Sequence, residues 1–372
     1  MKKTVMGFLM ILGGLVMASG STEEPDYVPP ALTPAPYLIR DPAVRAELKV
    51  EDKQAGRLQA LCDKIDEHLF ALRDQPPIPS DPLALEHVRA VVKAMDTLPT
   101  ILKPSQIGRL QELAIQFEGP MALFRREPAD CVRLSAAQKE RMRGIYRQSV
   151  RLQEELKRRL EESGESSSYA QQAEQIRVRL MQQFLMGLTE GQLVVWQGML
   201  GREFDFSLTQ PLSFRAPDLP EATRWIQTRP ISIKGLQNRV VAIIFFSADN
   251  AQCEGDYAIY KLWTRQYDPK DVFVLGVHIP AGESEDKAAV DRAIEREGLN
   301  FPIAVDGKKT ICQAWVNPVC PSVYLVDKTG RVRCWWYGPI RKNGAAADQW
   351  LSERIEQLRA ETIGESDGKP LK

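Results

Sequence analysis

Neither charge is in surplus in this sequence: 49 lysines and arginines meet 49 aspartates and glutamates, for a formal net charge of zero. A basic field for nucleic acid is therefore not expected, and neither is an acidic solvating tail. Histidine is scarce, with only His68, His87 and His278 in 372 residues, far apart in sequence. The six cysteines, at 62, 131, 253, 312, 320 and 334, show no metal-ligand spacing. No metal and no other cofactor is expected. Long apolar runs are absent beyond residue 20, so no later segment is expected to span a membrane.

The one such run, from about Val5 to Met17, follows two lysines and ends at Ala18-Ser19-Gly20. This is the pattern of an export signal (residues 1–20) with small residues at a peptidase site. Cleavage is favoured over an uncleaved anchor because the run is short for a span. A periplasmic or secreted location follows, in an oxidising compartment that permits disulfides. Residues 21–36, rich in Pro, Glu, Thr and Ser, read as a flexible leader, and residues 363–372 as a disordered tail.

From residue 37 to 206 the pattern is helical. Leu58, Leu61, Cys62, Ile65, Leu69 and Leu72 recur at spacings of three and four, which places them on one helix face. Ser80-Asp81-Pro82 is a helix start, followed by Leu85, Val88, Val92 and Met95 at helical spacing. Ile107, Leu110, Leu113, Ala114 and Phe117 mark a third helix. The pattern then restarts. Val50-Glu51-Asp52-Lys53-Gln54 pairs with Leu134-Ser135-Ala136-Ala137-Gln138, and Leu102-Lys103-Pro104-Ser105-Gln106 with Leu188-Thr189-Glu190-Gly191-Gln192. In each, an apolar residue stands four places before a glutamine. Ser135 and Thr189 are capping residues, whereas Glu51 and Lys103 depart from that type. An internal duplication is read here, with units at 37–120 and 121–206. The motif resembles the LTxxQ family of periplasmic helical proteins. That resemblance implies helical hairpins whose concave surface holds partly unfolded chains; a plain helical spacer satisfies the same pattern.

A proline-punctuated joint at 207–220 leads to a region of different texture. Strands are expected at 231–233, 240–246, 272–279, 302–306, 322–327 and 332–338, with helices at 253–265, 283–297, 308–315 and 345–360. Such alternation, closed by a hairpin at Lys328-Thr329-Gly330, predicts a mixed sheet covered by helices. The apolar run Val240–Phe246 enters Ser247-Ala248-Asp249-Asn250-Ala251-Gln252-Cys253, and Pro321-Ser322-Val323-Tyr324-Leu325-Val326-Asp327 precedes Gly330. With Ala314-Trp315-Val316, these stretches resemble the thioredoxin superfamily, in its redoxin branch of exported, cytochrome-maturation-type proteins. The fold class expected is therefore α plus α/β: a duplicated helical-hairpin region, then a thioredoxin-fold domain at 221–362.

The resemblance implies a Cys-x-x-Cys at the head of the active-site helix, a cis-proline at Pro321 and a substrate chain pairing beside it. Here the motif is incomplete. Asn250 stands where the attacking cysteine belongs, so ordinary dithiol exchange is excluded. Cys253 remains as the candidate reactive thiol. Cys320, next to Pro321, is the candidate second thiol, against a packing role. Asp256, one helical turn after Cys253, is a candidate proton acceptor, against a solvent-facing aspartate. Asn250 and Pro321 are the candidate substrate-binding positions. Three functions compete: atypical thiol–disulfide exchange, a redox-inactive scaffold or chaperone-like binding module, and a single-cysteine peroxidase acting through a sulfenic acid. The partners expected are extended or partly unfolded protein chains and a redox partner protein.

Overall fold

A computed structural model describes residues 32–74, 81–163, 169–220, 222, 224–280, 287–341 and 347–362. The export signal at 1–20, most of the leader and the tail at 363–372 lie outside the described residues. No helix among the described residues is long and apolar enough to cross a membrane. The chain divides into two compact units, Met1–Gln210 and Pro211–Leu371.

In the first unit the capping and periodic signals become helices α1 (Ala35–Leu38), α2 (Pro42–Glu47), α3 (Asp52–Ala71), α4 (Pro82–Met95), α5 (Pro104–Glu118), α6 (Arg126–Cys131), α7 (Ala136–Ser163), α8 (Tyr169–Met186) and α9 (Glu190–Leu200). The α3 stripe is buried as its spacing predicts, from Leu58 to Leu72. On α4 the buried face is Ala84, Val91 and Ala94, while Val92 is 46% exposed. Small alanines let the neighbouring helix approach, so the face turns one residue away from the larger side chains.

The four motif glutamines lie at helix starts and meet in pairs. Gln54 Nε2 donates to Gln106 Oε1 at 2.8 Å and Gln106 Nε2 donates back to Gln54 Oε1 at 3.0 Å. Gln138 and Gln192 make the same exchange at 2.7 and 3.0 Å. Each glutamine oxygen also accepts the N–H of the residue three before it: Glu51, Lys103, Ser135 or Thr189. The hydroxyls of Ser135 and Thr189 accept in return from the glutamine N–H, completing a reciprocal cap. Further parallels are Lys49 and Arg133, both left-handed at φ 51° and 54°, and Gly119 and Gly201, both at φ 60° and ψ −151°. At Gly201 a side chain would also strike the Glu112 carboxylate.

In the second unit the described residues form one sheet of seven strands: β1 (Phe214–Arg215), β2 (Arg224–Ile226), β3 (Val240–Phe246), β4 (Val272–His278), β5 (Ile303–Val305), β6 (Ser322–Val326) and β7 (Arg331–Tyr337). The spatial order is β1-β7-β6-β3-β4-β5-β2. β3, β4 and β5 are parallel, and the remaining pairings are antiparallel. β3 is buried at every position, on both faces, which is why its sequence is a continuous apolar run. Val240, Ala242, Ile244 and Phe246 share a core with Tyr260 and Trp263 of α11 (Tyr257–Gln266) and Leu351 and Ile355 of α14 (Ala347–Ala360). On the other face Phe245 meets Trp315 and Tyr324. Gly276 of β4 is required by close approach, since a Cβ there would stand 2.8 Å from the Phe301 ring and 2.9 Å from the Phe246 ring.

Three expectations change. Residues 231–233 are not a strand; the sheet edges are instead β2 and β1, the latter inside the stretch read as a joint. The helix expected over 253–265 is broken at Gly255-Asp256 into α10 (Ala251–Glu254) and α11. The remaining helices are α12 (Lys287–Glu297) and α13 (Thr310–Ala314); the expected start of the former at 283 lies outside the described residues.

Candidate functional site

β3 delivers the chain to a buried Ser247, and the turn after it places Asn250 at the head of α10. Asn250 Oδ1 accepts the Gln252 N–H at 2.9 Å, an Asx cap, and its carbonyl accepts the Cys253 N–H at 2.8 Å. The side-chain Nδ2 donates across to the Cys320 carbonyl at 3.3 Å. Asn250 therefore ties the β3–α10 turn to the loop before β6.

Cys253 is fully buried, in the core cluster with Phe246 and Tyr257. The Ser247 N–H points at its sulfur at 3.5 Å. Burial pushes the thiol up to about 11; the Ser247 N–H opposes this, and the Asp256 and Glu254 carboxylates add to it. Cys320 is half-buried, and its thiol is pushed up to about 12, first by burial and then by Cys253 and Cys312. The peptide bond between Cys320 and Pro321 is cis, and Pro321 is buried with its carbonyl accepting the Gly338 N–H at 2.8 Å. All six cysteines are free: Cys62 and Cys253 buried, Cys131 exposed, Cys312, Cys320 and Cys334 half-buried.

Asp256 is 1% exposed, so it is neither a solvent-facing residue nor directed to open space. Its two carboxylate oxygens accept the Ile340 N–H at 3.1 and 2.9 Å, and the Tyr260 hydroxyl donates to it at 3.4 Å. Burial raises its pKa, opposed by the Ile340 and Arg341 N–H groups. The carboxylate thus holds the turn after β7 against the kink between α10 and α11.

Asn317 escaped the sequence reading, yet it organises the loop carrying Cys320. Its Oδ1 accepts from the Ser322 and Tyr324 hydroxyls at 2.7 and 3.0 Å, its Nδ2 donates to Val319 O at 3.0 Å, and its carbonyl accepts the Cys312 thiol at 3.4 Å. The one available signal was Asn317-Pro318, a turn dipeptide. His278, at the end of β4, accepts the Ala248 N–H at Nδ1 at 3.4 Å and supports the same turn from below. Its lone position in sequence gave no indication of this.

A parallel β3-β4-β5 core, an antiparallel β6–β7 hairpin, a helix head beside the end of β3 and a cis-proline before β6 are now together. Residues 213–334 match the AhpC/TSA family. The second unit has a thioredoxin-like fold. The chain is 32% identical over 122 residues to Protein DipZ of Mycobacterium tuberculosis, covering 32% of this chain and 18% of that protein. The chain thus spans less than a fifth of the length of this curated relative. It is 23% identical over 156 residues to the thiol-disulfide oxidoreductase YkuV of Bacillus subtilis, covering 42% of this chain and 98% of that one. Among solved structures, a thiol-disulfide isomerase from Corynebacterium glutamicum aligns at 23% identity and a TM-score of 0.34, over 40% of this chain and 98% of that one.

Proposed function

We propose that this is an exported protein whose thioredoxin-like unit binds extended protein chains beside Pro321 and has lost fast dithiol exchange. One observation carries the reading: Asn250 fills the attacking position as a helix cap, while the remaining thiol of Cys253 is fully buried with its pKa near 11. A thiol with that pKa is ionised to roughly one part in ten thousand at pH 7, and only the thiolate attacks a disulfide. The same burial argues against peroxide reduction, which needs an accessible thiolate. Asp256 is assigned as a positioning residue for the turn at Ile340 rather than as a proton acceptor. The Cys320 carbonyl is partly engaged by Asn250, so a chain docking at this edge would compete with the Asn250 amide.

A second reading rests on the neighbourhood of the two thiols. A thiolate at Cys253 would disfavour one at Cys320, and Asn250 ties their two loops together. In slow exchange with a substrate disulfide, Cys253 and Cys320 would form one disulfide, and the substrate would leave as two thiols carrying both protons and both electrons. The relative YkuV is a thiol-disulfide oxidoreductase.

For the first unit, the reading is a duplicated LTxxQ-like helical module that holds partly unfolded chains. The two glutamine pairs, the left-handed Lys49 and Arg133, and the matching Gly119 and Gly201 support the duplication. The full chain should then slow aggregation of an unfolding model protein; no effect at several-fold excess would leave the spacer reading.

The site is tested by comparing the parent with Asn250→Cys in a protein-disulfide reduction assay. The binding reading expects little turnover from the parent and at least a tenfold gain in the variant. Parent turnover comparable with an ordinary Cys-x-x-Cys enzyme would overturn it. Peptide mapping of oxidised parent distinguishes the second reading: a Cys253–Cys320 link, lost with residual exchange in Cys320→Ser, supports it.

A further inference from the structure

Two of the three histidines are spent on a single contact in the first unit. His68 near the end of α3 and His87 on α4 face each other with Nδ1 to Nδ1 at 2.9 Å. The ring centroids are 5.2 Å apart with planes inclined by 48°, so the rings meet nose to nose along the Nδ1–Nδ1 line. Both side chains are half-buried.

Such a contact has a strict proton requirement. One Nδ1 must carry a hydrogen and the other must be bare, because a bond needs one donor and one acceptor. Either ring can gain a proton at Nε2 only if its Nδ1 is already the donor, and His68 has the Glu67 carboxylate 3.8 Å from its Nε2. A first proton on His68 therefore leaves the bond intact, with His68 donating and His87 accepting. A second proton has no place except on the accepting Nδ1 of His87. It turns the contact into two donors, and two positive rings, face to face.

We propose that the His68–His87 pair is an acid-sensitive latch that closes the α3–α4 hairpin at neutral pH and opens when the pair takes up its second proton. The charged and titratable groups acting on His87 are His68 and Glu67 from α3, and Asp81 and Glu86 from the start of α4. The acidic groups favour its protonation. Burial and the facing His68 outweigh them, and the His87 pKa is lowered. The folded hairpin thus binds the second proton less readily than the unfolded chain does. By linkage, the latch contributes its full stability above the ordinary histidine pKa of about 6.5 and loses it as the pH falls below that value. A nose-to-nose pair does not suit chelation, since the two lone pairs oppose each other instead of converging on one ion beside them.

The consequence for the molecule is local. α3 carries Gln54 at its other end, in the amide exchange with Gln106, so the hairpin stays anchored there while its far end is released. Acid would then expose the inner faces of α3 and α4, including Leu69 and Val91, both fully buried in the closed hairpin.

Hydrogen exchange on the full-length protein between pH 7 and 5, corrected for the intrinsic pH dependence of exchange, tests the latch. Opening coupled to one proton accelerates by up to about tenfold per pH unit. That acceleration is expected in the peptides spanning α3 and α4, and not in those spanning α7 and α8. In His87→Gln, which cannot be protonated, it should disappear. Imidazole titration by NMR on the unmodified protein gives an independent reading should the variant fold poorly: one ring must titrate below the ordinary histidine range. Equal acceleration in His87→Gln, or two rings titrating independently near 6.5, would overturn the proposal.

Discussion

Replacing Gln106 by alanine removes more of the first unit than the size of one polar side chain suggests. The Gln106 amide donates to Leu48 O and Lys49 O, each at 3.1 Å, and to Gln54 Oε1 at 3.0 Å. It accepts from the Lys103 N–H at 2.7 Å and from Gln54 Nε2 at 2.8 Å. Gln54 and Gln106 are 8% and 7% exposed, so water does not readily replace what is lost. A neutral hydrogen bond contributes about 1 kcal/mol net, and a stranded buried partner costs about 1–3 kcal/mol. Gln54 keeps its bond to Ile101 O, which limits the damage. The expected cost of Gln106→Ala is thus about 2–4 kcal/mol. Gln138 and Gln192 make the same exchange but are half-exposed, and Gln192→Ala should cost only about 1–2 kcal/mol. Because two units are present, a single denaturation midpoint is not sufficient. Urea unfolding followed by hydrogen exchange within α3, α5, α7 and α9 separates the contributions. Gln54→Ala with Gln106→Ala should be non-additive by about 0.5–3 kcal/mol, as for any pair in direct contact. Equal costs for Gln106→Ala and Gln192→Ala, or simple additivity within the first pair, would refute the argument that burial of the amide exchange carries its energy.

Alkylation of the native protein at pH 8 should follow exposure: Cys131 first, and Cys62 and Cys253 last by at least a hundredfold, as mass spectrometry of labelled peptides would read. Fast labelling of Cys253 would contradict both its burial and its raised pKa. Asp256 gives a pH effect of opposite sign to the histidine latch. Its folded pKa is raised, so the folded state binds the proton more readily, and this one group stabilises the fold as pH falls toward that pKa. Asp256→Asn should flatten that contribution in a series of unfolding curves from pH 7 to 4. It should also loosen exchange at Ile340, whose N–H relies on the carboxylate.

The sequence alone determined the parts whose local signal and tertiary role coincide. Val240–Phe246 was legible as a strand to the residue because both its faces are buried, so every position must be apolar. The turn with Asn250 and Cys253 was legible because a strand feeding a capped helix leaves side-chain-specific marks. The four glutamines announced helix starts, since capping is local chemistry. Only the tertiary structure decided which glutamine meets which, because residues 52 and 54 positions apart share nothing along the chain. It also placed the two- and three-residue edge strands β1 and β2, too short to carry a period and formed only by pairing with β7 and β5. Most of the site was decided there too. Helical spacing placed Asp256 beside Cys253, and only the folded chain shows that its carboxylate also accepts the Ile340 N–H. The histidines of α3 and α4 looked unrelated at positions 68 and 87, and a hairpin brings them to 2.9 Å. Spacing encodes the face of one element; which faces meet, and how dry the contact is, depends on packing that no single element contains.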